Sequence, residues 1–357
     1  MHTLKHISRS PHHCRGFSMV ELMIALVITL ILLAGIGQIF LSSKKSFVIQ
    51  NSLSRIQENG RYAMDVVVSD LRRAGYWGGN ADINTIGGSE GVTPPAAAEA
   101  CTGSTSDGPS NWARMLNRSI FGLDLTGNEK PSDTGNAYNC IDDTGAGSYV
   151  RGDVMLVRYA NPSAVGSITK PLSCPAGSTI ALCYPNEYFL RSSLFRGRLF
   201  KGVDSELTEN TLVAPAIRTA ELVARAYYIG ASSSSRSACS ADGDVPSLFR
   251  IALTNGAFLA EEVAYGVDNL QIKYGVDSSG DGVVNRYFDA DNIAAADWVN
   301  VVAARIWLLV RAECPETGYT NDNTYAMGNV SYTPADTAGR GYRRKLYTST
   351  IQLRNNR

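Results

Sequence analysis

The chain has 357 residues, 44 % of them hydrophobic and 18 % charged, with a formal net charge of zero. That is enough apolar material for a packed core in one or two domains, and the balanced charge gives no reason to expect wholesale nucleic-acid binding. The charge is uneven, however: setting aside Lys5, Arg9 and Arg15 of residues 1–16 leaves 30 basic residues against 33 acidic ones, formally −3.

The first element is an apolar run. From Leu22 to Leu41 there are twenty residues without a charge, and Thr29 and Gln38 are the only polar side chains. Twenty helical residues span ~30 Å, the thickness of a bilayer's hydrocarbon core. Basic residues precede the run, which keeps residues 1–16 in the cytoplasm and sends the rest across; Lys44 and Lys45 weaken that contrast slightly. An ordinary signal peptide would carry a small-residue cleavage site after the run, and no A-x-A pattern follows Leu41. A plain signal anchor explains the run but not the residues in front of it.

In front stands Arg15-Gly16-Phe17-Ser18-Met19-Val20-Glu21-Leu22. G-F-S-M-V-E-L, after a short basic leader and before an unbroken apolar helix, resembles the prepilin peptidase site of type IV pilins and type II secretion pseudopilins. The resemblance implies cleavage between Gly16 and Phe17, N-methylation of the new Phe17 amine, and retention of the apolar helix as the mature N-terminus. Glu21 is otherwise hard to explain, since a charge at depth in a membrane costs roughly 2.5–3.5 kcal/mol. Cleavage supplies an ammonium at Phe17, and a helix N-terminus favours a nearby carboxylate. The resemblance implies that Glu21 pairs with that ammonium, its own or a neighbour's, and sets register during assembly.

The helical pattern continues through residues 42–75, with apolar positions at Phe47, Leu53, Ile56, Met64, Val67 and Leu71. Gly75 is the expected stop. A helix from about Phe17 to Ala74 would be roughly 85 Å long. Gly35, Gly37 and Gly60 are its expected weak points. Residues 78–150 are rich in Gly, Ser, Thr, Asn, Asp and Pro, and read as an irregular excursion with short elements. Beyond Arg151 come strand patterns at Asp153–Tyr159, Leu222–Ile229, Ser247–Leu253, Leu270–Tyr274, Val301–Arg311 and Lys345–Leu353, with a hairpin signal at Asn255-Gly256. The expected fold is α+β, a long N-terminal helix packed on antiparallel sheet, as in pilins. The expected parts are a leader (1–16), a transmembrane helix (17–44), an amphipathic stalk (45–75), a loop-rich insertion (76–150) and a β-rich domain (151–357).

The series A-R-A-Y-Y-I-G, S-L-F-R, E-E-V-A-Y-G-V-D-N-L-Q-I-K-Y-G-V-D, W-V-N-V-V-A-A-R-I-W-L-L-V-R and R-R-K-L-Y-T-S-T-I-Q-L-R-N resembles the PilW minor pilins, as does R-Y-A-M-D-V-V-V-S-D-L-R-R-A-G-Y-W-G nearer the head. The resemblance covers both ends of the chain and fails in residues 78–150 and parts of 160–220. It implies a minor pilin that primes filament assembly and stands at the tip, first in the inner membrane with its domain in the periplasm. The implied partners are prepilin peptidase, other minor pilins, the major pilin and the assembly platform, with a tip adhesin as a further candidate. The alternatives are a minor pseudopilin of a type II secretion system, a tip-borne adhesive or DNA-binding module, and a membrane-tethered periplasmic enzyme.

Enzyme chemistry finds little footing. All four histidines, His2, His6, His12 and His13, fall in the leader, and there is no G-x-S-x-G, P-loop or H-E-x-x-H. The seven cysteines lose Cys14 with the leader, leaving Cys101, Cys140, Cys174, Cys183, Cys239 and Cys314. Six scattered cysteines suit three disulfides in an oxidising compartment better than a zinc site; Cys174–Cys183, around Pro175 and Gly177, is the favoured pair. One candidate metal loop remains. Asp277, Ser279 and Asp281 alternate as in an EF-hand-type calcium loop, followed by Val283 through its carbonyl and Asn285. Phe288 stands where the bidentate Glu belongs, with Asp289 one residue late. The competing reading is a polar hairpin turn.

Overall fold

The computed structural model describes residues 16–87, 116–126, 130–131, 140–142, 144–163, 188–201, 218–232, 245–254, 257–334 and 337–356. Helix α1 runs unbroken from Met19 to Arg73, through Gly35, Gly37 and Gly60. Its end is set by Gly75, whose φ of 75° is the left-handed conformation that closes a helix at low cost for glycine. The chain divides into two compact units between Asn51 and Ser52.

In the second unit the strands are β1 (Ile86–Gly87), β2 (Ile120–Leu123), β3 (Tyr149–Ala160), β4 (Tyr188–Ser192), β5 (Gly197–Lys201), β6 (Arg218–Ala231), β7 (Pro246–Thr254), β8 (Ala257–Tyr265), β9 (Val267–Val276), β10 (Arg286–Phe288), β11 (Val301–Arg311), β12 (Tyr325–Met327), β13 (Val330–Tyr332) and β14 (Arg344–Gln352). A one-turn helix α2 (Thr337–Arg340) precedes β14. Among the described residues, β1 to β8 form one sheet, β10-β9-β11-β14 a second, and β12-β13 a small third. All pairings are antiparallel except β1 with β5. The fold is therefore α+β, as the sequence patterns predict.

β6 organises the larger sheet. One of its edges pairs with β3; the other is shared, Arg218–Glu221 with β4 and Arg225–Ala231 with β7. Both faces of β6 are covered, which is why V-A-R-A-Y-Y-I-G-A reads as a near-continuous apolar run rather than an alternation. Val223, Tyr227 and Ile229 point into a core shared with α1 and the second sheet, whereas Leu222, Ala224, Ala226 and Tyr228 point into another, with Trp77, Ile86, Leu190 and Leu199.

From Ile56 onward α1 supplies a stripe to the first core: Ile56, Ala63, Val67, Leu71 and Ala74. Val67 and Leu71 are fully buried, each contributing roughly 1.5–3 kcal/mol. They meet Leu270, Ile272, Ile306, Leu308 and Ile351 of the second sheet. Gly60 lies within this stripe because the Tyr347 ring of β14 occupies the space where a Cβ would stand. The expected weak point of the helix is thus a close-packing position. Tyr347 Oη also donates to the Ile56 carbonyl at 3.3 Å, and Asn59 Nδ2 to the Tyr265 carbonyl at 2.9 Å.

The strand expected at Val301–Arg311 is β11 with the same limits; those within β3, β6 and β9 extend further at both ends. β7 and β8 form the expected hairpin, Thr254 pairing with Ala257, while Asn255 and Gly256 lie outside the described residues. The described parts of 76–150 add β1 and β2 to the larger sheet, so this stretch supplies edges of the main fold.

Candidate processing and assembly site

Gly16, Phe17 and Ser18 precede α1 in non-helical conformation, and Phe17 is 82 % exposed. Among the described residues, no heavy atom beyond its chain neighbours lies within 4 Å of a Cβ built at Gly16. The first helical bond runs from Leu22 N to the Ser18 carbonyl, at 3.1 Å. Glu21 sits in the first turn, where the unpaired N–H groups and the helix dipole favour a carboxylate. It is four residues after Phe17, which itself stands outside the helix. The leader residues 1–15, with Cys14 and the four histidines, lie outside the described residues.

Among the described residues α1 is the one helix long and apolar enough to cross a membrane. Its apolar residues from Val20 to Leu41 are exposed on every side. Thr29 satisfies its hydroxyl internally, donating to the Ala25 carbonyl at 2.7 Å, as a polar side chain in an apolar helix face requires.

The domain is tied to its stretch of α1 by a carboxylate. Asp70 is 2 % exposed, on the same stripe as Val67 and Leu71. It accepts from Tyr159 Oη at 2.8 Å on β3, from Tyr227 Oη at 2.6 Å on β6 and from Arg225 Nη1 at 2.9 Å on β6. Arg73, one turn on, lies at 3.8 Å. Burial and then the Asp70 charge push the Tyr159 phenol up to about 12; the same causes in the same order raise Tyr227. Burial opposes the Arg225 charge, but Asp70 and Tyr159 prevail and raise it above the ordinary arginine value. The sequence reading passed over Asp70. Its signal was an acid at the apolar spacing, three residues after Val67 and one before Leu71.

The candidate metal loop joins β9 to β10. Asp277 accepts from Ser279 N at 3.0 Å, Gly280 N at 2.7 Å and Gly282 N at 2.6 Å. Burial works to raise its pKa, but the N–H groups of Gly282 and Gly280 and both donors of Ser279 hold it below the usual carboxylate value. Asn285 Oδ1 accepts from Ser278 N at 2.7 Å, and Asp281 Oδ1 from Val283 N at 2.9 Å. Asp289 is directed elsewhere, to Lys273 Nζ at 3.2 Å. The described residues contain no group of three or more His, Cys, Asp or Glu side chains placed to hold a metal. Cys140 and Cys314 are each disulfide-bonded. Cys101, Cys174, Cys183 and Cys239 lie outside the described residues.

Two family models match the chain. Residues 11–37 match the prokaryotic N-terminal methylation motif, and residues 226–355 match type IV pilus-assembly protein W, PilW. No curated protein matches. Among solved structures, a type IV-like pilin from Thermus thermophilus is similar at 15 % identity over 70 % of this chain and 94 % of that one. Its TM-score of 0.26 is too low to carry a structural argument.

Proposed function

We propose that this chain, a PilW-like type IV pilin by the methylation motif at its head and the PilW match over residues 226–355, acts as a minor pilin that primes filament assembly and stands at the filament tip. The observation that carries this reading is the single helix α1. It bears the exposed Gly16–Phe17 junction just before it, Glu21 in its first turn, and the membrane-length apolar run. In this reading prepilin peptidase cuts after Gly16 at the cytoplasmic face of the inner membrane, and the new Phe17 amine is methylated and stays cationic. Glu21 then meets that ammonium, its own or a neighbouring pilin's, and fixes the register in which the helix enters the filament. The domain faces the periplasm until extraction by the assembly platform. A chain of 357 residues suits a tip position better than a repeated subunit. Mass spectrometry of the membrane form is expected to yield an N-terminal methyl-Phe17 peptide; intact Met1, or a start beyond Leu41, would overturn the reading.

Two further proposals belong to the domain. Three disulfides are proposed among the six cysteines that follow the cleavage site. Non-reducing peptide mapping should then find no free thiol, and two or more alkylatable thiols in the native protein would contradict this. Weak calcium binding is proposed for the Asp277 loop on the spacing of its oxygen side chains, with affinity of about 10⁻⁴–10⁻³ M as in extracellular sites. Millimolar calcium should raise the melting temperature, and Asp277→Ala with Asp281→Ala should abolish the gain. An unchanged melting temperature would leave the loop as a hydrogen-bonded turn.

A further inference from the structure

A second charged cluster lies where β3, β9, β11, β13 and β14 meet. Its centre is Asp268 on β9, fully buried. Asp268 accepts from Arg344 Nε at 2.6 Å and from Arg151 Nη1 at 3.4 Å. Arg344, with a side chain only 1 % exposed, also donates to the carbonyls of Gly339 and Tyr342. Arg151 Nη1 donates to Tyr332 Oη at 2.7 Å and lies over the same ring. Burial works against the Asp268 charge, but Arg151, Arg344 and Arg311 together hold its carboxyl below the ordinary range.

Arg311 is the unbalanced member. It stands directly opposite Arg344 in the β11–β14 pairing, and like charges directly opposite one another in a sheet repel. Its guanidinium stacks on Tyr342, 4.2 Å from the ring centroid. Its Nε is buried without a hydrogen-bond partner among the described residues. Three guanidiniums, those of Arg151, Arg311 and Arg344, thus converge on one carboxylate whose oxygens are already taken by two of them, a surplus of two positive charges. Burial first, then Arg344 and Arg151, pull Arg311 below its ordinary value against the opposing pull of Asp268. The cluster is open on one side, because the Arg151 side chain is 36 % exposed. Forked guanidiniums over tyrosine rings suit the oxygens of a carboxylate or phosphate.

We propose that Arg311 and Arg151, backed by the Arg344–Asp268 pair and walled by Tyr342 and Tyr332, form a binding site for an oxyanion. A bound oxyanion would offset the repulsion between Arg311 and Arg344. Its source is either free inorganic phosphate or a carboxylate on another molecule, and the test uses phosphate and acetate as separate probes. The full-length protein in detergent is treated with phenylglyoxal, with chloride at matched ionic strength as the reference, and the modified arginines are mapped by mass spectrometry. At ten times its Kd, the effective anion should slow modification of Arg311 roughly tenfold, while Arg305 on the outer face of the second sheet reacts as before. Protection by phosphate alone points to a free-phosphate ligand; protection by acetate points to a carboxylate. In Arg311→Gln the melting temperature without anion should hold or rise, because the repulsion is gone, and the anion-dependent rise seen in the native protein should vanish. Equal labelling of Arg311 in phosphate, acetate and chloride overturns the proposal, even where Arg311→Gln fails to fold. So does an undiminished anion response in a folded Arg311→Gln protein.

Discussion

Asp70→Ala is expected to cost roughly 3–5 kcal/mol, a large share of a domain's stability, because it removes a fully buried carboxylate that is the charge partner of the half-buried Arg225 guanidinium. Tyr159 and Tyr227 lose their acceptor in the same step. Tyr159→Phe removes the bond donated to Asp70 and the longer one accepted from Arg225, leaves the Asp70–Arg225 pair in place, and should cost only about 1–2 kcal/mol. Denaturant unfolding of the two variants beside the native protein measures both. Similar small losses in the two would mean that Asp70 does not hold the cluster together. The cluster also predicts sensitivity to alkali. The folded state keeps the Tyr159 proton up to about 12, whereas the unfolded chain releases it near 10. The unfolded state therefore binds fewer protons in that window. The stabilisation is fully present below pH 10 and is lost as the pH rises through about 12.

Glu21→Ala should leave cleavage after Gly16 intact and yet abolish incorporation into filaments. The carboxylate lies beyond the proposed scissile bond, so a peptidase would still meet Gly16 and Phe17 in exposed, non-helical chain. What is lost, under the proposed pairing, is the partner for the Phe17 ammonium. Without it an unpaired cation would have to enter an apolar helix bundle, which is costly wherever water is absent. Glu21→Asp, with the charge drawn back by one methylene, should recover part of the incorporation. The measurement is the amount of methyl-Phe17 protein in sheared filaments against the amount in membranes. Equal ratios in Glu21→Ala and native protein would remove the pairing role while leaving the methyl-Phe17 result standing.

Periodicity made part of this fold legible. The apolar run, the Gly75 stop and β11 each follow one local rule, and the structure has them where those rules place them. β8 was legible only as the second arm of the Asn255-Gly256 hairpin, without limits, because Glu261 and Glu262 interrupt its apolar pattern; Glu261 pairs with Arg250 on the neighbouring strand at 2.6 Å. β4 and β5 stand between stretches with no clear pattern, and their place is set by pairing, β4 with β6 and β5 with β4, rather than by their own residues. Asp70 was harder still. Its partners lie 89 to 157 positions downstream, and nothing local marks an acid as the acceptor for two phenols and a guanidinium. Gly60 was read as a flaw in the helix because a single helix carries no information about the ring packed against it.

The end of α1 is finished by residues made far later. Asn355 Nδ2 donates to the carbonyls of Arg72 and Ala74, at 3.1 and 3.5 Å, so the last turn finds its acceptors satisfied 283 and 281 positions down the chain. The Asn355 carbonyl also closes over Gly75, and Tyr347 over Gly60. During synthesis the helix emerges first and must wait, its seat half built, until β14 arrives. A chain interrupted anywhere in between would carry the stretch of α1 from Ile56 to Arg73 without its finished socket. The geometry thus works as a length check: only a polypeptide read through to Asn355 has the parts to clasp its own first helix.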